Sequence, residues 1–596
     1  MVSSRVPPGM DVVSCESRVL PSVEKLFLPR LETTRTPGAT VLPVDRMVVA
    51  DRSAAAVKDG DIPKVLRLLA KRGVFSATDV GVGEEEALKS LEESEEVAMV
   101  FDLDALRASL ASAQEAFPKT WTHCFAVKTC PLSFVVQEVL RAGFGIEGAS
   151  FVELYMALAH GCDPSTLLFD SPAKTQAELS LALKRGILIN ANSVDELYRI
   201  KAIIEAGKRE SIEGSGVGGC NDPAHGGLEG RCLRRGGTFH RARVGIRLNP
   251  LNGSGAIEEL SVSTVNSKFG VPATAENRRL IMELFATCPW LVGLHTHVGS
   301  QGCTLDQLAE GGALLCDIAD AIDEALGPGR VEVLDIGGGL PANYTSGDVR
   351  PSFADYAAVL KERAPGLFEP ERPWKVVTEF GRSLVAKCAF TASSVEYVRK
   401  NNCLVQSNGA CVGDGGEEDG SSGKNQGLGH EGMAAEVVGG QTLVTHMGSD
   451  LFLRECYCPG KFPHRISVFG QTGESLPGPA VPTDVAGPLC FGGDYLARSV
   501  GLPMAHAGDL AVIHDTGSNS ISLFSRHCSR QAPAVYGYTR AMGDGALTVC
   551  QLKPKENVRD VAKFWGARCV CVCVSRWYIH FGFDFRRPDL FFPVGF

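Results

Sequence analysis

The chain has 596 residues, a net charge of −10 at pH 7 and an apolar fraction of 44%. This length exceeds one ordinary domain, so we expect two folded domains with additional segments. The acidic balance leaves no global basic field, which disfavours a nucleic-acid partner. A small-molecule enzyme fits this composition better.

The 20 cysteines are spread as singletons, for example Cys130, Cys303 and Cys388. Their spacing is neither that of paired zinc ligands nor that of a small secreted disulfide scaffold, so a reducing compartment is expected. No apolar run is long enough to cross a bilayer, and the N-terminus lacks the basic-then-apolar order of a signal peptide. We therefore expect no membrane partner and a cytoplasmic location, with plastid import left open.

Residues 1–95 have weak periodicity and scattered Pro and Gly, apart from one predicted helix around 62–71. We interpret them as an N-terminal extension without assignable chemistry. The stretch VAMVFD at 97–102 can add a strand to a β-rich domain farther along the chain.

From about Cys124 onward, short apolar runs alternate with amphipathic segments that end in Gly or Pro, as in repeated βα units. The eight candidate strands are CFAVKT, FGIEGA, LLFDS, ILINA, VGIRLNP, LVGLHTHVG, VEVLDIGGG and KVVTEFG. Eight parallel strands with intervening helices predict an α/β fold, a TIM-type (β/α)8 barrel over 96–385. A Gly-rich insertion near 206–240 interrupts it.

Beyond Glu379 the helical patterns largely stop, and TLVTHM, HRISVF, DLAVIHD and AVYGY alternate with turn residues. This pattern predicts a mostly β C-terminal domain over 386–566, with a low-complexity insertion near 403–437. Residues 567–596 match neither domain, and a pairing strand, a tail and an artefact of gene prediction all stay open.

Reactive side chains gather at the C-terminal ends of the predicted strands, where barrels of this kind carry their active sites. These strand ends supply Lys128, Glu147, Asn249, His295, His297, the glycines 337–339, Glu379 and Arg382. A lysine at the mouth of an apolar strand suits Schiff-base chemistry, because partial desolvation lowers its pKa and exposes a neutral amine. A lone lysine is more often a surface residue, but the reactive residues at the neighbouring strand ends favour a Schiff-base lysine at this position.

The other strand ends suggest a bound aromatic phosphate. The glycines 337–339 can approach an anion closely, although GGG alone is more often a turn. Glu379 can keep a pyridine nitrogen protonated and Arg382 can grip a phosphate or carboxylate, although an isolated pair of this kind is more often a structural salt bridge. His295 and His297 point to one side and suggest a metal site, but no third ligand is evident, so we favour a histidine packed on a cofactor ring and no metal.

Nine motifs occur in a fixed order: FAVKT, EGASFVEL, FDSPAKT, NSKFG, GLHTHVGSQ, LDIGGGLP, EFGR, GPLCFGGD and GDLAVIHDTG. In this order they resemble the fold-type III pyridoxal-phosphate (PLP) decarboxylases, the ornithine/diaminopimelate/arginine decarboxylase family, over about 97–566. The resemblance implies an alanine-racemase-like barrel followed by a β domain, with PLP bound to Lys128 as a Schiff base. It also implies removal of the α-carboxylate of a basic or diamino acid as CO2.

The resemblance assigns roles to the matching residues of this chain. It implies a catalytic set of Lys128, His297, Glu379 and Cys490; a cofactor-binding set of Lys128, His297, Ser300, Gly338, Gly339, Glu379, Gly381, Arg382 and Asn519; and a substrate-binding set of Arg382, Arg465, Phe491 and Asp494. In this scheme His297 stacks on the ring and Glu379 pairs with the pyridine nitrogen. Cys490 reprotonates the substrate carbon from the other subunit, which implies a homodimer with shared active sites.

Two positions depart from the family pattern and leave the substrate open. Phe491 stands where the family has an acidic residue for a distal ammonium, and a phenyl ring cannot pair with that charge. Asn519 stands where the family has a tyrosine. Phe491 is thus the main objection to diaminopimelate itself. The rival interpretations are a catalytically altered homologue that acts as a regulatory binding protein, and a PLP racemase or PLP-homeostasis protein, against which the β domain and Cys490 argue.

Overall fold

The structure is a computed structural model, and it describes residues 55–75, 92–214, 242–405 and 436–567. All of these ranges fall within one compact unit, Asp51–Phe596. Most of the predicted N-terminal extension, most of both predicted insertions and the chain after 567 lie outside the described residues.

The first described segment packs against the β domain. Its helix α1, Ile62–Ala70, agrees with the predicted one, and the side chains of Ile62, Leu66 and Leu69 are fully buried. They share a core cluster with Val100 and residues of the C-terminal sheet. The strand β1, Val97–Asp102, belongs to that same sheet. This segment therefore contributes to the core of the β domain.

Eight parallel strands close into a barrel with helices between them, which confirms the predicted fold class. In chain order the strands of this sheet are β2 (Thr122–Ala126), β3 (Gly145–Gly148), β4 (Leu167–Asp170), β5 (Leu188–Ala191), β6 (Val244–Asn249), β7 (Val271–Pro272), β8 (Leu291–Thr296), β9 (Val333–Asp335) and β10 (Lys375–Phe380). The short β7 pairs with β6 and lies outside the ring, which closes between β2 and β10 and between β5 and β6.

The helices begin and end where local side chains allow it. They are α2 (Leu103–Ala116), α3 (Ser133–Arg141), α4 (Phe151–Ala159), α5 (Gln176–Arg185), α6 (Val194–Gly214), α7 (Ala275–Thr287), α8 (Leu305–Leu326), α9 (Phe353–Arg363), α10 (Arg382–Val385), α11 (Arg454–Tyr457) and α12 (Val558–Phe564). Thr175 caps α5 in a reciprocal capping box with Glu178. The same helix ends at Gly186, whose φ of 72° suits a residue without a side chain.

The remaining strands form a mostly β domain, as predicted. They are β11 (Ala389–Val405), β12 (Glu436–Thr445), β13 (Ile466–Phe469), β14 (Val481–Ala486), β15 (Tyr495–Leu502), β16 (Leu510–Ile513), β17 (Ala534–Arg540) and β18 (Leu547–Lys553). The described strand order is β15-β14-β12-β11-β1-β17-β18; in addition, β16 pairs with β11, and β13 pairs with β16.

The two domains meet beside the C-terminal ends of the barrel strands. The backbone N–H of Asn519, from the β domain, donates to the carbonyl of Thr129 just after β2 at 2.8 Å. Gly381 follows β10, and a side-chain carbon on it would lie 2.6 Å from the Thr129 methyl group. A glycine is therefore needed where the end of β10 approaches the turn that carries Lys128.

Candidate active site

Lys128 lies in a single 3-10 turn, Val127–Thr129, directly after β2. Its Nζ donates to both carboxylate oxygens of Glu147, at 2.8 and 2.9 Å, and the Glu147 side chain at the end of β3 is fully buried. Burial lowers the pKa of Lys128, but the carboxylates of Glu147 and Glu379 outweigh it and raise this pKa above its ordinary value. The predicted lowering of the Lys128 pKa is therefore wrong, because the amine is an ammonium held by a buried acid.

Glu379, near the end of β10, is a buried carboxylate without a hydrogen bond. Neither oxygen has a hydrogen-bond partner among the described residues, and the nearest ring nitrogens are His295 Nε2 at 3.6 Å and His297 Nδ1 at 3.8 Å. Burial raises the pKa of Glu379, but the charges of His295 and Lys128 lower it by more. The net pKa lies below the ordinary value, so the group is ionised. A buried acceptor without a partner calls for a donor, and the protonated nitrogen of a pyridine ring is such a donor.

His297 is a neutral, partly accessible imidazole. Its Nδ1 accepts a hydrogen bond from the backbone N–H of Gly338 at 3.1 Å, which leaves the proton on Nε2. Burial, assisted by the Arg247 guanidinium, lowers the pKa of His297 to about 3. With its side chain 20% exposed, this uncharged ring can pack against an aromatic cofactor.

His295 has closer acidic neighbours than the sequence indicated. Its ligand-type atoms lie within 4.8 Å of those of Asp170 and Glu379. The expectation that no third metal-type ligand lies near the histidines is therefore wrong. However, Asp170 already pairs with Arg247 at 3.1 Å, so we interpret the cluster as the charge network that supports Glu379.

The residues expected around a phosphate lie together. Arg382 donates to the hydroxyl of Ser300 at 3.3 Å and to that of Tyr344 at 3.0 Å. A side chain on Gly338 would collide with the Glu379 carbonyl, and one on Gly339 with the Gly299 carbonyl. These glycines therefore hold the backbone close to the barrel mouth, where a bulky anion can approach.

A small cavity, partly open to solvent, lies beside Arg382. Its lining residues are Tyr344, Arg382, Phe452, Arg454, Glu455, Phe462, His464, Ser518, Asn519 and Ser520. Arg454 Nε and Nη1 and Arg382 Nε are buried without hydrogen-bond partners among the described residues. Burial, together with the nearby Arg382 charge, lowers the pKa of Arg454 to about 10. The cavity therefore presents two guanidinium groups in need of an anion.

Sequence reasoning missed Arg454 and chose Arg465 instead. Arg465 Nη1 donates to Asp59 at 2.8 Å, and its Nε lies 3.6 Å from Asp515. Its neighbour His464 faces the cavity, whereas Arg465 does not line it. The substrate-binding role of Arg465 stays a prediction. Arg454 lines the cavity, and its only sequence signal is an arginine within the largely apolar run DLFLRECY.

Asp494 fixes a loop. Its carboxylate is 3% exposed and accepts from the backbone N–H groups of Ser449, at 2.6 Å, and Leu489, at 2.8 Å. Both oxygens therefore help to hold the loop 487–494, and the substrate contact predicted for Asp494 stays a prediction. Cys490 and Phe491 lie on this loop, where both are exposed, and the described contacts do not join either to the Lys128 cluster.

Comparisons with known proteins fit this arrangement. Residues 103–386 match the family "Pyridoxal-dependent decarboxylase, pyridoxal binding domain", and residues 445–517 match its "C-terminal sheet domain". The chain belongs to the pyridoxal-dependent decarboxylase family. It is accordingly a PLP-dependent carboxy-lyase, which confirms the predicted enzyme class and cofactor.

Individual relatives are distant. The chain is 25% identical to the diaminopimelate decarboxylase of Methanothermobacter thermautotrophicus over 76% of this chain and 89% of the relative. It is 26% identical to that of Escherichia coli K12, over 72% and 86%. The solved diaminopimelate decarboxylase of Helicobacter pylori complexed with L-lysine shares the fold at a TM-score of 0.59 and 21% identity, covering 80% and 99%. None of the described helices combines the length and apolar character needed to span a membrane.

Proposed function

We propose that this decarboxylase acts on a diamino acid that carries a distal carboxylate, of the diaminopimelate type, with PLP held as a Schiff base on Lys128. The observation that carries the proposal is the cavity with Arg382 and Arg454, where Arg382 Nε and Arg454 Nε and Nη1 are buried without hydrogen-bond partners among the described residues. Two adjacent buried cations are costly unless anions join them. The PLP phosphate would supply an anion to Arg382, and a carboxylate remote from the reacting carbon would supply one to Arg454, a group that ornithine and lysine lack.

The residues present fit PLP. The two free oxygens of Glu379 offer an acceptor for the ring nitrogen, and the neutral His297 offers a stacking face. Gly338, Ser300 and Arg382 offer backbone approach, a hydroxyl and a charge to the phosphate. When bound, PLP supplies an electron sink for the pair released as the α-carboxylate leaves as CO2.

The protein residues would then have separate roles in cofactor activation and substrate binding. Glu379 keeps its negative charge beside the ring nitrogen and so preserves the positive charge there, on which the sink depends. Arg454 holds the distal carboxylate, while Arg382 serves the phosphate, and this contact fixes the substrate in one orientation. This orientation presents the α-carboxylate for loss.

We infer a homodimer with shared active sites, in which Cys490 of one protomer returns a proton to the α-carbon in the other. The Cys490 thiol is exposed on a loop that is held in place by a hydrogen bond from Leu489 N–H to the buried Asp494 carboxylate. An exposed but anchored thiol suits a contribution across a subunit interface better than a role within its own chain.

The test is CO2 release from meso-diaminopimelate, 2-aminopimelate, L-lysine and L-ornithine, with the D-enantiomers as stereochemical controls. We expect diaminopimelate to exceed lysine in kcat/KM by on the order of 10²-fold, the effect of about 3 kcal/mol from a charge-assisted carboxylate contact. A preference for lysine would contradict the role of the cavity. No CO2 from any substrate, together with a normal visible PLP spectrum, would instead support a regulatory binding protein.

The comparison with 2-aminopimelate tests whether a site with Phe491 still recognises the distal ammonium. This compound keeps the distal carboxylate but lacks the distal ammonium. Equal turnover of 2-aminopimelate and diaminopimelate would show that replacing the family's acidic residue by Phe491 has removed recognition of that ammonium.

A further inference from the structure

Glu147 has no part in the function proposed above, although it touches the reactive amine. Both of its oxygens accept from Lys128 Nζ, and its other described surroundings supply no hydrogen bond. Its side chain is fully buried at the end of β3. A buried carboxylate with a single partner must find another one, or a proton, once that partner changes its charge.

The partner loses its charge temporarily while it captures an aldehyde. An ammonium has no lone pair and cannot attack a carbonyl carbon, so Lys128 must first give up a proton. Glu379 from β10 and Asp170 from β4 also bear on its charge, but Glu147 alone among the described acids contacts Nζ. The proton therefore has one adjacent acceptor.

We propose that Glu147 is the proton-transfer residue that makes Lys128 nucleophilic during capture of PLP, an inference that rests on the proposed role of Lys128. Glu147 takes one proton from the ammonium, and the neutral amine forms a bond to the aldehyde carbon. A second carbon–nitrogen bond then forms as the carbon–oxygen double bond is fully broken, and the oxygen leaves as water with one proton from the nitrogen and the proton returned by Glu147. The nitrogen keeps one proton, and Glu147 ends as a carboxylate.

The surroundings suit a group that must hold a proton briefly. Burial, which the nearby Lys128 charge only partly offsets, raises the pKa of Glu147 above its ordinary value, and the Glu379 and Asp170 carboxylates act in the same direction. A carboxylate made more basic in this way accepts a proton from an adjacent ammonium more readily and can return it. An ordinary exposed glutamate would be a much weaker acceptor.

The experiment follows PLP capture by apoprotein prepared from the holoenzyme, recorded as the rise in visible absorbance and checked by borohydride trapping. Glu147→Gln is compared with the wild type over a range of imidazole and acetate concentrations. We expect capture to slow by on the order of 10²-fold, as for loss of general acid–base catalysis. We also expect the slow rate to increase with buffer concentration, since small acids and bases replace the missing carboxyl group.

A second buried lysine–glutamate pair provides the matched control. Glu196 accepts from Lys174 at 2.9 Å, with both side chains almost fully buried and with no ion pair to Lys128 among the described residues. Glu196→Gln should disturb stability without slowing capture or making it depend on buffer. Glu147→Asp, which keeps the acid but shortens its reach, covers the case that Glu147→Gln does not fold, and should show intermediate capture without full loss.

The proposal would be overturned if Glu147→Gln captured PLP at the wild-type rate. It would also be overturned if capture were slow but its rate did not depend on buffer concentration, which would indicate a purely positioning role. Failure of the proposed function can be distinguished from failure of this inference, because the role of Lys128 is tested in a separate variant, Lys128→Ala. If Lys128→Ala still forms the borohydride-trapped adduct, the lysine assignment and this inference both fall. If Lys128→Ala loses the adduct while Glu147→Gln behaves as wild type, only the inference falls.

Discussion

Replacement of Arg454 by methionine should weaken catalysis on diaminopimelate yet stabilise the folded protein. The shift of the Arg454 pKa from its ordinary 12.5 to about 10 means that burial of this charge costs about 3 kcal/mol. Because the charged form is the disfavoured one, this cost applies at any pH well below 10. Methionine removes it, and loses a cation–π contact of about 1 kcal/mol with the Phe462 ring, whose centroid is 4.7 Å away.

The net gain for Arg454→Met is about 2 kcal/mol, or a rise in Tm of roughly 2 °C for a folded chain of this length. In the same variant, kcat/KM for diaminopimelate should fall by about 10²-fold, while that for L-lysine should stay nearly constant. Differential scanning calorimetry of the substrate-free protein and CO2 release with both substrates measure the two effects. A lower Tm, or an equal loss with both substrates, would refute the argument.

Arg465→Met is the matched control for this experiment. It removes the 2.8 Å ion pair with Asp59 and the 3.6 Å contact with the buried Asp515, and it leaves the cavity lining intact. Asp515 keeps its 3.1 Å ion pair with Lys387, so we expect a loss of stability and no change in substrate preference. A change in preference would favour Arg465 as the substrate residue.

Three further variants test the remaining assignments. Lys128→Ala should abolish the visible absorbance of bound PLP, and an unchanged spectrum would disprove the lysine assignment. Glu379→Ala should reduce kcat by on the order of 10³-fold and affect PLP retention less, as measured by dialysis and turnover; PLP loss without a rate defect would defeat that role. Mixing inactive Lys128→Ala and Cys490→Ala chains should restore part of the activity through hybrid dimers, and no restoration would argue against a shared site.

The sequence predicted most of the framework because each piece of it has a local cause. All eight predicted barrel strands are present, and the reactive residues lie at their C-terminal ends, since a run of apolar residues and the residue that ends it are adjacent in the chain. The glycines 337–339 were identifiable for the same reason. Arg454 was not, because an arginine in a mostly apolar run looks the same whether its charge faces solvent or a cavity.

The sequence by itself determined the barrel, the β domain, the cofactor and the lysine at the end of β2. Only the tertiary structure decided the charge of that lysine, because Glu147 and Glu379 reach it from other strands and outweigh the burial that would have lowered its pKa. It likewise decided that Asp494 fixes a loop and that Arg465 pairs with Asp59. Electrostatic effects sum over all neighbours in space, and residues such as Asp59 and Arg465, some 400 positions apart, become neighbours only through the fold.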